Sequence, residues 1–257
     1  MFDIFSDIFA CRENVFTRID PRVKMVPAIA LILSVVLSSK VYFPLTVLAF
    51  CLSAMLMVGM PIRLALLRIA GPMGIVAVLV VLQAFLSGST PLFTLDFLSW
   101  KLTATEEGLR RGILIGSRVL GAVSVMLLFS SVTPAYKIFN ALRWFRVPEG
   151  WVEIALLVYR YTFSLLDQTS DVITAQSTRL GYSSVGKSLS SMGVLAGTVI
   201  TRSMDQAMRT YEAMTLRGYE GSMHFAPLPG LKATDIRNLA IVLPLILTVF
   251  MLMERYA

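Results

Sequence analysis

Two short segments with the same residue pattern are the strongest candidates for a functional role, and each contains one arginine. Arg179 follows Ala175 by four positions, and Arg217 follows Ala213 by four positions. Residues four apart lie on one face of a helix, so the small alanine leaves room beside the long cation. A guanidinium can hold a carboxylate through two parallel hydrogen bonds, which suits protein docking. The repeat predicts two equivalent docking sites rather than a single active site.

A glycine and a tyrosine follow each arginine, at positions 181–182 and 218–219. This order is typical of a helix C-terminus with a cation in its last turn. Taken singly, each segment also fits an exposed helix end whose arginine only complements the helix dipole. The duplication favours docking. Arg179 and Arg217 are 38 positions apart, which corresponds to at most roughly 57 Å if the whole stretch is helical.

Residues 181–188 match the phosphate-binding pattern G-x-x-x-x-G-K-[ST] letter for letter. A working phosphate loop follows a buried strand, whereas this string follows a long helical pattern. We therefore interpret it as a turn between two helices. Any ATP-driven work would then use the nucleotide site of a partner.

A second pattern, Glu-Glu-x-x-x-Arg at 106–111, occurs in a family of intramembrane proteases whose carboxylates act together with histidines on neighbouring helices. The chain has a single histidine, His224, in a Gly/Pro-rich stretch, and two cysteines, Cys11 and Cys51. Zinc sites need three or four nitrogen, sulfur or carboxylate ligands. We expect no catalytic residue, no metal site and no cofactor, and we interpret Glu106 and Glu107 as acids in the first turn of a helix.

The chain is 257 residues long, 56% hydrophobic, with a mean hydropathy of +0.74. This composition predicts an all-α polytopic membrane protein. Its net charge of +7 fits cytoplasmic loops rich in lysine and arginine as well as it fits nucleic-acid binding. About five transmembrane helices are predicted from apolar runs long enough to cross a bilayer, at 23–39, 41–60, 69–88, 112–132 and 237–253.

Lysines and arginines precede the first run and separate the second from the third, which predicts a cytoplasmic N-terminus. The first span, rather than a secretory signal, is expected to target the chain. We divide the chain into a membrane domain of four spans at 1–132, a cytoplasmic coupling region at 133–234 and a final transmembrane helix at 235–257. The coupling region contains two long helices, predicted at 151–180 and from 187 to the neighbourhood of Arg217, each apolar in its first part and charged in its second.

Two further arginines, Arg118 and Arg160, interrupt apolar stretches. A charge facing lipid costs about 2.5 to 3.5 kcal/mol on insertion scales, so both should face protein, water or headgroups. Small-xxx-small spacings at Gly112/Gly116 and at 193–197 are compatible with close helix packing.

In these features the chain resembles the transmembrane T component of energy-coupling factor transporters, and in particular the CbiQ family of the cobalt and nickel type. The resemblance extends over nearly the whole length, and the paired arginine motifs are its most specific element. One departure is Leu180, inserted between Arg179 and Gly181 where the family often has Arg-Gly directly.

The resemblance implies a non-catalytic scaffold that joins two cytoplasmic ATP-binding subunits to a membrane substrate-binding subunit for cobalt or nickel, in the cell inner membrane. It also implies that the two helix ends sit in grooves of the ATPases, through Ala175, Thr178, Arg179, Leu180, Ala213, Leu216, Arg217 and Gly218, with Arg118 and Arg160 as structural or coupling residues. Cobalt uptake is the expected function. A nickel or vitamin transporter, an intramembrane enzyme and a self-sufficient permease are the alternatives.

Overall fold

The computed structural model describes residues 20–86, 91–97, 100–222, 230 and 233–256. Its helices and strands follow in the order α1 Pro21–Leu37, α2 Tyr42–Met57, α3 Ile62–Leu86, β1 Pro91–Phe97, β2 Trp100–Thr105, α4 Glu106–Val132, α5 Ala135–Leu142, α6 Glu149–Thr178, α7 Val185–Thr215 and α8 Ala233–Tyr256. They divide into two compact units, one of 1–138 with 229–257 and one of 139–228.

The predicted all-α polytopic membrane fold is confirmed. Within the described ranges three helices are long and apolar enough to cross a bilayer, over 62–85, 106–132 and 233–255, and α2 is a shorter apolar helix. The 17-residue α1 covers about 25 Å at 1.5 Å per residue, somewhat less than a ~30 Å hydrocarbon core. The end of the third predicted span, at 87–88, lies outside the described residues.

The segment between the third and fourth predicted spans contains two strands that were not expected from the sequence. Strands β1 and β2 pair there as an antiparallel hairpin. Helix α4 begins at Glu106, so Glu106 and Glu107 lie in its first turn as expected, ahead of the predicted span start at Gly112. Threonines and aromatic residues are frequent in both strands and favour extended structure.

The first unit is organised around α4, which packs against α1, α2 and α3. Val35, Phe43, Val47, Cys51 and Val125 form its buried core, and the ring of Phe43 contacts that of Phe250 edge-on with centroids 5.2 Å apart. Removing this apolar area from water stabilises the cluster.

Glycines set how closely α4 approaches its neighbours. A Cβ on Gly112 would lie 3.1 Å from Val80 Cα, and one on Gly116 would lie 2.8 Å from Val76 Cγ1. The predicted close packing at Gly112/Gly116 is therefore present, against α3. The spacing at 193–197 marks no close contact among the described residues, since a Cβ on Gly193 or Gly197 would meet nothing within 4 Å.

The second unit consists mainly of α6 and α7, which are antiparallel. Two hydrogen-bonded pairs join them, Gln176 with Ser191 near the connecting turn and Tyr161 with Thr210 farther along. At the far end, Glu153 of α6 bonds to Tyr219, just beyond α7. The long helices predicted from about 151 and 187 begin two residues earlier, at Glu149 and Val185. The domain division at 1–132, 133–234 and 235–257 stays a prediction.

Candidate functional site: two matching helix ends

Both arginine segments end their helices through the same hydrogen-bonding pattern. In the first, Leu180 N–H donates to the Ser177 carbonyl (3.0 Å) and Gly181 N–H donates to the Gln176 carbonyl (2.8 Å). In the second, Gly218 N–H donates to Thr215 and Tyr219 N–H donates to Met214, both at 3.0 Å. These pairs are the two bonds of a Schellman motif, which satisfies carbonyls left free at a helix end.

The residue after each arginine has a left-handed backbone, with φ 57° at Leu180 and φ 84° at Gly218. Leu180 therefore occupies the position of Gly218 and is not an insertion, which corrects the sequence-based interpretation. The two ends align as 175–180 with 213–218, with Arg179 and Arg217 at equivalent places. The tyrosines differ by one position in this alignment.

The side chains proposed for docking are accessible. Arg179 and Arg217 are exposed, and so are Ala175, Thr178 and Ala213. Leu180 is 68% exposed and Leu216 is 89% exposed. An exposed apolar side chain therefore lies next to the cation at each end. The docking role of these residues stays a prediction.

The antiparallel arrangement of α6 and α7 places the two arginines at opposite ends of the second unit. Arg179 lies at the turn between the helices, beside the Gln176–Ser191 hydrogen bond. Arg217 lies at the far end, next to the bond between Tyr219 and Glu153. Since α7 has 31 residues, the ends are separated by about 46 Å along the helix.

Arg160 and Arg217, named separately from the sequence, line one groove of about 320 Å3 between α6 and α7. Arg209 lines it as well and was missed. The missed signal is its spacing, since Arg209, Ala213 and Arg217 follow at intervals of four. The equivalent series at the first end begins with an acid, Asp171, followed by Ala175 and Arg179. The two ends therefore share their backbone geometry but differ in charge.

Arg118 lies in the first unit. Its Nε and Nη2 donate to the Ser38 carbonyl at 2.9 and 2.6 Å. Ser38 caps the C-terminus of α1, so the guanidinium satisfies a carbonyl that the helix leaves free. Arg118 thus faces protein, one of the three environments expected for it, and its role in structure or coupling stays a prediction.

The enzyme-like patterns have ordinary structural explanations. The phosphate-loop string follows helix α6, forms a turn and enters α7 at Val185, and Ser184 Oγ accepts from Lys187 N–H at 3.4 Å. Glu106 and Glu107 occupy the first turn of α4. Across the described ranges no three His, Cys, Asp or Glu side chains are grouped as metal ligands. His224 lies outside those ranges.

Comparison with known proteins agrees with this architecture. The CbiQ family, described as cobalt transport protein, matches residues 12–226, which is more than half of the chain. The chain therefore belongs to the CbiQ family, and the resemblance stated from its sequence is confirmed. It is a membrane component of a transport system.

Three relatives illustrate the range of similarity. An uncharacterized protein of Methanocaldococcus jannaschii is 27% identical over 214 residues, 82% of this chain and 79% of the relative. The cobalt transport protein CbiQ of Rhodobacter capsulatus is 34% identical over 94 residues, 37% of this chain and 38% of that protein. A Methanocorpusculum labreanum protein named as a fused cobalt transport protein CbiMQ is 27% identical over 119 residues, 46% of this chain and 20% of the relative.

Proposed function

We propose that this chain is the transmembrane coupling subunit of an ATP-driven importer of the energy-coupling factor type, and that its cargo is cobalt. The observation that best supports this proposal is the pair of matching arginine segments. Each has an exposed arginine, and the two lie at opposite ends of one antiparallel helix pair. Two equivalent ends about 46 Å apart suit two ATP-binding subunits, one at each end. Movement of those subunits would be transmitted along α6 and α7.

The proposed partners are two cytoplasmic ATP-binding subunits and a membrane subunit that binds cobalt. The relative named as a CbiM and CbiQ fusion supports the second partner, because a fused pair indicates that the two parts act together. Apolar side chains on α7 remain exposed, including Leu189, Met192, Ile200 and Met204, and a surface of this kind needs lipid or a partner protein to cover it. ATP hydrolysis is assigned to the partners, and this chain is assigned no catalytic step.

The proposed location is the cell inner membrane with a cytoplasmic N-terminus. The support is the set of lysines and arginines ahead of α1 and in its first turn, and in the first two turns of α3, namely Arg12, Arg18, Arg22, Lys24, Arg63 and Arg68. Nickel or a vitamin is the second candidate cargo, since the identity of the cargo depends on the substrate-binding subunit. The intramembrane enzyme is not proposed further, because the carboxylates at 106 and 107 begin a helix as ordinary first-turn acids.

The test is co-expression of this chain with its ATP-binding and substrate-binding subunits, purification through a tag on this chain, and radiolabelled cobalt uptake in vesicles. Arg179→Glu or Arg217→Glu should weaken ATPase association, and the double variant should abolish it together with uptake, since a reversed charge adds repulsion to a lost pair. Arg202→Glu is the matched control, because Arg202 is exposed in the middle of α7. Full co-purification and uptake with the double variant would refute the proposal.

A further inference from the structure

An apolar cleft opens in the first unit where ends of α1, α2, α4 and α8 meet. It has a volume of about 270 Å3. Its walls are hydrocarbon from Ala28, Leu31, Phe50, Val125, Leu128 and Val242. An apolar lining of this kind favours a hydrocarbon occupant over ordered water.

The lining includes one cationic side chain, Lys24, in the first turn of α1. Lys24 is half-buried, and the charges of Asp20 and Lys137 act on it with opposite effect. Asp20 is already engaged, because its Oδ1 accepts from Arg22 N–H at 2.9 Å and lies 3.8 Å from Arg22 Nε. Cations therefore outnumber anions at this edge of the cleft, which favours a negatively charged group there.

The cleft also contains a buried hydroxyl without a hydrogen bond. Thr133 is 1% exposed, and among the described residues its Oγ1 has no partner. It lines the same cleft and follows the end of α4. Buried polar groups are nearly always paired, so this hydroxyl indicates that an acceptor belongs in the cleft.

The chemistry of the lining favours one occupant. An apolar wall with cations and an unpaired hydroxyl at one end matches an amphipathic molecule that carries a negative charge, rather than an uncharged apolar helix.

We propose that this cleft binds an acyl chain of an anionic glycerophospholipid, with the phosphate at Lys24 and Lys137 and an ester carbonyl accepting from the Thr133 hydroxyl. Hydrocarbon, carbonyl and phosphate of one molecule would thereby meet the three kinds of group that the site presents. The proposal is independent of the coupling function, since it concerns the first unit and needs no ATPase.

The experiment uses the full-length protein, purified in detergent, delipidated and titrated with phosphatidylglycerol or phosphatidylcholine, with bound lipid counted by native mass spectrometry. Phosphatidylglycerol should bind more tightly than phosphatidylcholine. Lys24→Gln should lower its affinity about five-fold, as expected for one basic residue at an anionic headgroup. Lys40→Gln, at the turn between α1 and α2, is the matched control and should have no effect. An excess of inorganic phosphate should not displace the lipid if the acyl chain contributes; complete displacement would identify a phosphate site only and refute the lipid.

Two further substitutions test the cleft itself. Thr133→Val should weaken binding of both lipids, because each has the ester carbonyl. Ala28→Phe should fill the cleft and abolish binding, with circular dichroism confirming that the helices remain. Equal affinity for the two lipids, or binding that neither Lys24→Gln nor Ala28→Phe changes, would overturn the proposal and assign the cleft to a side chain of a partner protein.

Discussion

Leu180 and Gly218 occupy equivalent positions in the two helix ends, each directly after an arginine and each in the left-handed region, at φ 57° and φ 84°. Glycine adopts this conformation freely, whereas a residue with a Cβ does so at a cost of about 1 to 2 kcal/mol. The first end therefore contains local backbone strain that the second end lacks. The side chain at the strained position is exposed.

Leu180→Gly is expected to stabilise the second unit by about 1 kcal/mol, because it removes the left-handed penalty while no buried contact is lost. Denaturant titration of the purified chain, followed by circular dichroism, would measure the change. Gly218→Ala is the reciprocal variant and should destabilise by a similar amount. If Leu180→Gly lowers stability instead, the first helix does not end in the same motif as the second.

The same variant separates stability from docking. If the exposed Leu180 side chain contacts an ATP-binding subunit, Leu180→Gly should weaken co-purification of that subunit while the chain itself becomes more stable. Unchanged co-purification in a stabilised variant would remove Leu180 from the docking surface and leave the arginine in place.

The sequence predicted the helices well and their ends less well, for identifiable reasons. Helices α6 and α7 were predicted to within two residues at their starts. Their signal extends over many residues: each begins as a long apolar run and becomes polar, after Asp167 in α6 and after Arg202 in α7. The role of Leu180 could not be predicted, because a leucine gives no indication of a left-handed backbone. The groove that Arg209 lines together with Arg160 and Arg217 could not be predicted either. It exists only because α6 packs against α7, and a single helical pattern does not show which helix it packs against.

The two helix ends should differ in their sensitivity to salt. The second end has Arg160 and Arg209 beside Arg217, whereas Asp171 precedes Arg179 at the first end. Raising salt from about 0.1 M to about 1 M shortens the Debye length from about 10 Å to about 3 Å, so the more charged end should lose more binding. Arg179→Gln leaves only the second end intact, and Arg217→Gln leaves only the first. As salt is raised, ATPase association should fall more steeply for Arg179→Gln than for Arg217→Gln.

A control for this comparison is Arg209→Gln, which keeps both motif arginines and lowers the charge of the groove. It should make the salt dependence of the second end approach that of the first. Identical salt dependence of the two single-end variants would show that the charge around each motif does not contribute to docking.

Glycines that separate α4 from its neighbours should be intolerant of even a methyl group. In Gly121→Ala the new Cβ would lie 3.0 Å from the Pro44 carbonyl oxygen and 3.1 Å from Val35 Cγ1. Such overpacking costs about 1 to 3 kcal/mol. Gly193→Ala is the matched control, since its Cβ meets nothing within 4 Å and alanine favours a helix by about 1 kcal/mol over glycine. Thermal unfolding in detergent should therefore move in opposite directions for the two variants.

Arg118 should contribute to the stability of the first unit through its two hydrogen bonds to the Ser38 carbonyl. Arg118→Met should destabilise by about 1 to 3 kcal/mol, because the carbonyl of the buried Ser38 loses its partner. Arg118→Lys should recover part of the loss, since an ammonium donates but lacks the planar fork. Arg110→Lys, at an exposed position of the same helix, should have little effect. An unaltered melting temperature for Arg118→Met would contradict the assignment.

The bond between Tyr219 and the Glu153 carboxylate predicts a pH dependence at the second arginine end. Glu153 is 4% exposed. The hydrogen bond between Glu153 and the Tyr219 hydroxyl, followed by desolvation of Tyr219, raises the pKa of Tyr219 above the usual value of 10. The folded chain therefore keeps the phenol proton to a higher pH than the unfolded chain, so this contribution is complete below pH 10 and is lost as pH rises through the raised pKa. Tyr219→Phe should be less stable than the wild type at neutral pH, and the difference should shrink at alkaline pH. Tyr136→Phe removes an exposed phenol elsewhere, and its stability relative to the wild type should not change across the alkaline range. A stability difference for Tyr219→Phe that stays constant over that range would argue against the bond to Glu153.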